Sequence, residues 1–93
     1  MEITLKTDNK DKTFVAPFIG ARMLKRSLGL SKKFQGGIDE SIMDEIATYL
    51  VDVYGKQFTM DELYDGFPSD KFFNKAFEDL NEVIGGLEEK VKN

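Results

Sequence analysis

Asp61, Glu62 and Asp65 place three carboxylates within five residues, enough oxygen to raise the question of a cation site or of paired acid–base chemistry. A calcium loop needs oxygens at alternating positions around a central glycine, closed by a glutamate, and that spacing is missing here. Glu62 has a simpler role: with Thr59 three residues earlier it forms the signature of a capping box at a helix start. The pairs Asp44-Glu45, Glu78-Asp79 and Glu88-Glu89 read as solvated helix faces. Glu40 and Asp44 share a face at i,i+4, as many surface acids do. The sequence holds no histidine and no cysteine. It therefore lacks the usual general base, the usual transition-metal ligands and any thiolate or disulfide chemistry. No serine or threonine has a histidine to activate it. Gly36-Gly37 and Gly85-Gly86 carry neither the lysine and hydroxyl of a phosphate loop nor the spacing of a dinucleotide turn. The expectation is a chain that is not an enzyme, with no metal and no cofactor.

Positive charge is concentrated instead. Arg22, Lys25, Arg26, Lys32 and Lys33 follow one another with no acid between them, in a chain of 93 residues and net charge −4. The remainder therefore carries −9. Five cations could neutralise several phosphates. A helix-turn-helix reading of Phe18–Tyr54 fails, however, because the link between the two helices is long and glycine-rich and the second helix is acidic on its exposed face. Nucleic acid is not the expected partner. A basic face on an acidic body suits contact with another copy of the chain or with an acidic partner, and Arg22, Lys25 and Arg26 are the candidate residues.

Aromatic residues make up 12% of the chain. Phe14 and Phe18 stand near the N-terminus, while Phe58, Tyr64, Phe67, Phe72, Phe73 and Phe77 crowd the C-terminal third. A domain this short cannot easily bury them all. The expectation is an apolar patch for a protein partner, formed by Phe58, Tyr64, Phe67, Phe72, Phe73 and Phe77. Serine at Phe72 and Phe73 is expected to abolish partner binding while leaving the fold. The plain alternative for each ring is a place in the core.

The elements that must hold these residues can be read from periodicity. Glu2–Lys6 alternates polar and apolar, Thr7–Lys12 is a polar turn, and Thr13–Ala16 favours strand, which together give an N-terminal hairpin. Pro17 suits the first turn of a helix running from Phe18 to about Leu28, ended by Gly29. Ser31–Gly37 then reads as a flexible link. Asp39 caps an amphipathic helix whose apolar face comprises Ile42, Met43, Ile46, Ala47, Leu50, Val51, Val53 and Tyr54. Gly55 ends it, Thr59 opens a short helix, and Gly66 with Pro68 closes that one. Ser69 is expected to cap a last helix from Asp70, with Phe73, Phe77, Leu80, Ile84, Leu87 and Val91 as its apolar stripe, widened by Phe72, Ala76 and Val83. Gly85-Gly86 should end or loosen it. The predicted fold is α+β, mainly α-helical, with a β-hairpin followed by about four helices. One domain spans 1–86 and a charged tail spans 87–93. No apolar run approaches the roughly 20 residues that cross a bilayer, and the first residues lack the pattern of a signal peptide, so an intracellular, non-membrane location is expected.

Two blocks carry a family likeness. The first runs Thr13-Phe14-Val15-Ala16-Pro17-Phe18-Ile19-Gly20-Ala21-Arg22-Met23-Leu24-Lys25-Arg26-Ser27-Leu28. The second runs Leu50-Val51-Asp52-Val53-Tyr54-Gly55-Lys56-Gln57-Phe58-Thr59-Met60-Asp61-Glu62-Leu63-Tyr64-Asp65-Gly66. Together they resemble the tail assembly chaperones of long-tailed, non-contractile phages and prophages of Gram-positive bacteria, over roughly Ile3 to Ile84. The matching positions are Phe14, Pro17, Phe18, Ala21, Arg22, Gly55, Phe58, Tyr64 and Gly66. The resemblance implies a non-enzymatic protein that coats the long, helical tape measure protein, keeps it soluble and helps recruit the tail tube protein, whose subunits displace it. It also implies copies side by side as a homo-oligomer, action in the cytoplasm of the bacterial host, and absence from the mature virion. In many phages of this kind a ribosomal frameshift makes a longer form from the same start. The runner-up reading is a small phage regulatory protein that binds DNA or acts as an anti-repressor. A structural virion component is a third.

Overall fold

Asp8 and Asn9 take left-handed backbone, φ 51° and 64°, and so close a two-residue turn between strand β1 (Glu2–Thr7) and strand β2 (Lys10–Val15). Short polar side chains tolerate that conformation, and paired positive φ matches the twist of a hairpin. The turn is therefore two residues long, not the six read from the polar run, and β2 begins at Lys10. Ile3 faces Phe14 and Leu5 faces Lys12 across the antiparallel register, while Thr4 and Thr13 share a hydroxyl–hydroxyl hydrogen bond of 2.8 Å on the outer face. The computed structural model describes residues 1–85. Leu87 and Val91 of the expected stripe, and the expected tail, lie outside them.

Ala16 to Gly20 forms neither strand nor helix, and helix α1 (Ala21–Gln35) begins only after it, with Gly20 at the N-cap and no side-chain cap. Pro17 thus precedes the helix instead of opening it. Gly29 does not end α1. A glycine inside a helix costs about 1 kcal/mol relative to alanine, and continuing past it buries Leu30 and seats Phe34 against the core. Burial of two large apolar side chains outweighs that cost. The link shrinks to 36–39. Helix α2 (Glu40–Val53) starts as expected, with the Asp39 carboxylate accepting from the Ile42 amide at 2.9 Å. Gly55, at φ 75°, turns the chain out of it.

Helix α3 (Met60–Gly66) carries the complete capping box: the Thr59 hydroxyl accepts from the Glu62 amide, and Glu62 accepts from the Thr59 amide. Helix α3 ends at Gly66 as the sequence suggests, and the glycine has a further purpose there. A Cβ there would lie 2.7 Å from the Lys6 carbonyl oxygen, so glycine lets α3 press onto β1. Ser69 does not cap the last helix. Ser69–Lys71 forms a 3₁₀ turn after Pro68, and helix α4 (Phe72–Ile84) follows with no side-chain cap. Gly85 ends it at φ 73°. The sequence-level expectation of a hairpin and four helices is what the structure shows.

Helix α2 lies at the centre of the core. Ile46, Ala47, Tyr49, Leu50, Val53 and Tyr54 are buried against Ile3, Leu5 and Phe14 of the hairpin, Leu30 of α1, Phe58 and Leu63 of the corner, and Phe72, Ala76 and Leu80 of α4. The buried face of α4 is thus Phe72, Ala76, Asp79 and Leu80; of the expected stripe Leu80 faces inward, whereas Phe73 and Ile84 are half-buried and Phe77 is exposed. With apolar residues on two faces, helical period alone cannot choose which face turns inward.

Candidate functional site

The C-terminal aromatics are held in sequence by the corner and by α4, and packing divides them. Phe58 and Phe72 are each only 4% exposed and belong to the core. Phe58 lies between Phe14 (5.1 Å between ring centroids) and Tyr54 (5.9 Å), and so locks the corner to both hairpin and α2. Phe72 touches Tyr64 at 6.2 Å and Phe73 edge-on at 5.4 Å. Tyr64, Phe67 and Phe73 are half-buried, and Phe77 is 38% exposed, its ring edge-on to Phe34 of α1 at 4.8 Å. Phe73 and Phe77 are four residues apart and share one side of α4. Tyr64, Phe67, Phe73 and Phe77, with Phe34 beside Phe77, therefore form the aromatic surface that a partner could reach. Serine at Phe72 would open the core, so the expectation that a Phe72 and Phe73 double change leaves the fold intact does not hold.

Of the basic residues, Arg26 gives a hydrogen-bonded ion pair to Asp52 at 2.6 Å and lies over the Tyr49 ring at 5.7 Å. Lys33 pairs with Glu45 at 2.5 Å. Both bridge α1 to α2. Arg22, Lys25 and Lys32 are exposed and make no ion pair among the described residues. Arg22 and Lys25 are thus exposed and unpaired among the described residues, whereas Arg26 is already engaged within the chain.

Two polar pairs lie inside the core, neither read from the sequence, and one of them contains Asp79, which is buried and not on the solvated face expected for Glu78-Asp79. The Tyr54 hydroxyl donates to Asp79 at 2.7 Å, and Lys75 pairs with the other carboxylate oxygen at 3.1 Å. Burial pushes the Asp79 carboxyl above the usual range, against the hydrogen bonds from Tyr54 and Lys75 and the lysine charge, which lower it. Burial, with the Asp79 carboxylate beside it, pushes the Tyr54 hydroxyl up as well. Ser27 and Tyr49 share a 2.6 Å hydrogen bond, and the Ser27 hydroxyl also reaches the Met23 carbonyl. No buried side-chain polar atom among the described residues lacks a partner. A satisfied network of this kind fixes how helices pack. No cluster among the described residues has the groups to hold a metal ion, and no described helix is long and apolar enough to cross a membrane.

One aromatic outside the crowded third stands apart. Phe18 is 95% exposed. Its segment is nevertheless fixed: the Gln57 side chain donates to the carbonyls of Val15 and Tyr54, the Ala16 amide donates to Met1, and Pro17 rests on Gly55, where a Cβ would come within 2.9 Å. The flanking Pro17 and Gly20 were the available sequence signal, since they keep the segment out of the helix that would have carried the ring inward. A groove of about 530 Å³ between α1 and α2 completes the surface, with Gly29, Leu30, Thr48 and Tyr49 along it and Asp44 on its rim.

A family model described as phage tail chaperone protein matches residues 1–93. No curated protein and no solved structure matches the chain.

Proposed function

The chain belongs to the phage tail chaperone family, and from that premise we propose that it binds the tape measure protein, shields that client's apolar helices before assembly, and helps recruit the tail tube subunits that displace it. It does so without covalent chemistry, in the cytoplasm of the host, and leaves before the virion is finished. The observation that carries this reading is the family match over the whole chain. The accessible aromatic side of α4 supports a client site there: Phe73 and Phe77, with Phe34 beside Phe77 and Tyr64 and Phe67 at the corner, offer ring surface to an apolar helix. Around them the surface is charged and predominantly acidic, with Glu78 and Glu82 exposed on α4 and Asp61, Glu62 and Asp65 on α3, which keeps a chaperone–client complex dispersed. Arg22 and Lys25, exposed and without an ion pair among the described residues, could meet acids on a neighbour or on the client.

The direct test is co-purification with the tape measure protein of the same phage. The unaltered chain should carry the client into the soluble fraction. Serine at both Phe73 and Phe77 should reduce recovery at least tenfold, with the circular dichroism spectrum retained. Equal recovery by that variant would remove this surface from the mechanism, and failure of the unaltered chain to bind would overturn the reading itself.

A further inference from the structure

A hairpin of two strands leaves two edges, and in this molecule they are not alike. The Ala16 amide donates to the Met1 carbonyl, which makes Met1 and Ala16 a hydrogen-bonded pair. Bonded and non-bonded pairs alternate along an antiparallel ladder. Ile3 with Phe14, Leu5 with Lys12 and Thr7 with Lys10 therefore exchange the ladder bonds. Glu2, Thr4 and Lys6 turn their amides and carbonyls away from β2, and these groups make no hydrogen bond among the described residues. Gly66 brings α3 against this edge at Lys6. From Glu2 to Thr4 the edge stays open, and beside it runs a groove of about 570 Å³ walled by Phe67, Pro68, Lys71 and Lys75. The edge of β2 is met instead by Gln57, which donates to the outward carbonyl of Val15.

We propose that this groove takes an extended segment of a partner protein, which adds to β1 as a third strand. The chemistry of the groove selects that occupant. Unpaired amides and carbonyls at two-residue spacing match the backbone of an extended chain. A helix does not fit them, because it spends its backbone groups on itself. Alternate side chains of an added strand fall on the face that carries Ile3 and Leu5, where Phe67 and Pro68 meet them. The others fall on the solvent face with Glu2, Thr4 and Lys6. The segment that fits therefore alternates apolar and polar residues. Charges of both signs line the groove, Lys6 and Lys71 with Glu2 and Asp65, so net charge does not select the ligand. Main-chain pairing to a strand edge supplies affinity in this mode of recognition, and alternate side chains supply selectivity. The inference goes beyond the chaperone reading. The helix that Phe73 and Phe77 would shield cannot make these bonds, so this is a second site with a different kind of ligand, although Phe67 borders both.

The probe is a soluble peptide of about seven residues that alternates valine and threonine, added to the purified full chain. At saturation, hydrogen exchange followed by NMR should slow at least tenfold at the Thr4 amide. The Ile3 and Leu5 amides, already bonded to β2, should change little. N-methylation of every valine, or of every threonine, strips the donors from one edge of the peptide or the other and keeps every side chain. One of these two peptides should bind at least tenfold more weakly than the other. Thr4→Pro removes an outward amide and leaves the bonds to β2, as an edge position permits. It should bind the unmodified peptide at least tenfold more weakly with its circular dichroism spectrum retained, and if it misfolds the methylated pair decides without it. No binding at about 1 mM peptide, two methylated peptides that bind alike, or a Thr4 amide indifferent to the peptide would each overturn the third strand. So would a Thr4 amide already protected before peptide is added, because the edge would then be covered by the chain itself or by a second copy. None of these measurements involves the tape measure protein, so their failure leaves the chaperone reading standing.

Discussion

Two aromatic regions of this molecule behave in opposite ways. The C-terminal third holds six rings, and the two that are buried each have ring neighbours: Phe58 has Phe14 and Tyr54, and Phe72 has Tyr64 and Phe73. The N-terminal segment holds one ring between β2 and α1, and that ring is almost wholly in solvent. Crowding thus favours burial, because neighbouring rings supply the close contacts that desolvate them. Isolation on a pinned segment leaves a ring nowhere to go. The density of aromatic residues along a chain is therefore a poor guide to where a partner binds, and the way each ring's backbone is held is a better one.

The largest effect that can sharpen this contrast is in the crowded region. Phe72→Ala removes a ring at the junction of α4, the corner and α2. Truncation of a buried phenylalanine costs about 3–5 kcal/mol, a large share of the stability of a domain this small. Thermal denaturation followed by circular dichroism should show a greatly lowered midpoint or no cooperative transition at all. A midpoint close to that of the unaltered chain would mean that Phe72 is not the core residue its burial indicates.

A smaller and pH-dependent effect belongs to Asp79, which ties the same helix to Tyr54. Its folded-state affinity for a proton is raised above the ordinary carboxyl value of 3.8. Between that value and the raised one the native state holds more protons than the unfolded state, so stability falls as pH rises. The contribution of this group is complete below the unfolded value and is lost as pH climbs through the folded one. Denaturant midpoints measured from about pH 3 to about pH 7 should therefore decline for the unaltered chain relative to Asp79→Asn, which cannot titrate. A constant difference between the two across that range would show that Asp79 ionises in the fold as it does in water.

The parts of this architecture that could be read from the sequence are those governed by neighbours along the chain. Thr59 with Glu62, Asp39 before α2, and Gly55 and Gly85 at helix ends all act over three or four residues, and all stand where local chemistry puts them. The misread parts depend on contacts across the chain. Gly29 looks like a helix stop until Leu30 and Phe34 find the core beyond it. Ser69 looks like a cap, yet the chain makes a 3₁₀ turn after Pro68 and the helix proper waits for Phe72. The inward face of α4 was ambiguous because Phe72 and Phe73 are equally apolar neighbours, and only packing against Tyr64 and α2 selects Phe72. The same limit applies to the site. Its residue types were legible, but their accessibility was not, because Phe58 differs from Phe77 only in what lies over it.

The smallest effect on stability is the most informative about Phe18. A ring that contributes nothing to the core should be removable at no cost, so Phe18→Ser should change unfolding free energy by no more than about 0.5 kcal/mol, the range of ordinary surface changes. Urea denaturation at a protein concentration low enough to keep the chain monomeric is the measurement, since self-association would otherwise stabilise the unaltered chain through mass action. The contrast with Phe72→Ala is then a difference of several kcal/mol between two changes that each delete one phenylalanine ring. A substantial loss from Phe18→Ser under those conditions would mean that the ring packs on its own chain in solution. The two aromatic regions would then differ in degree and not in kind, and the outward ring would no longer need a partner to explain it.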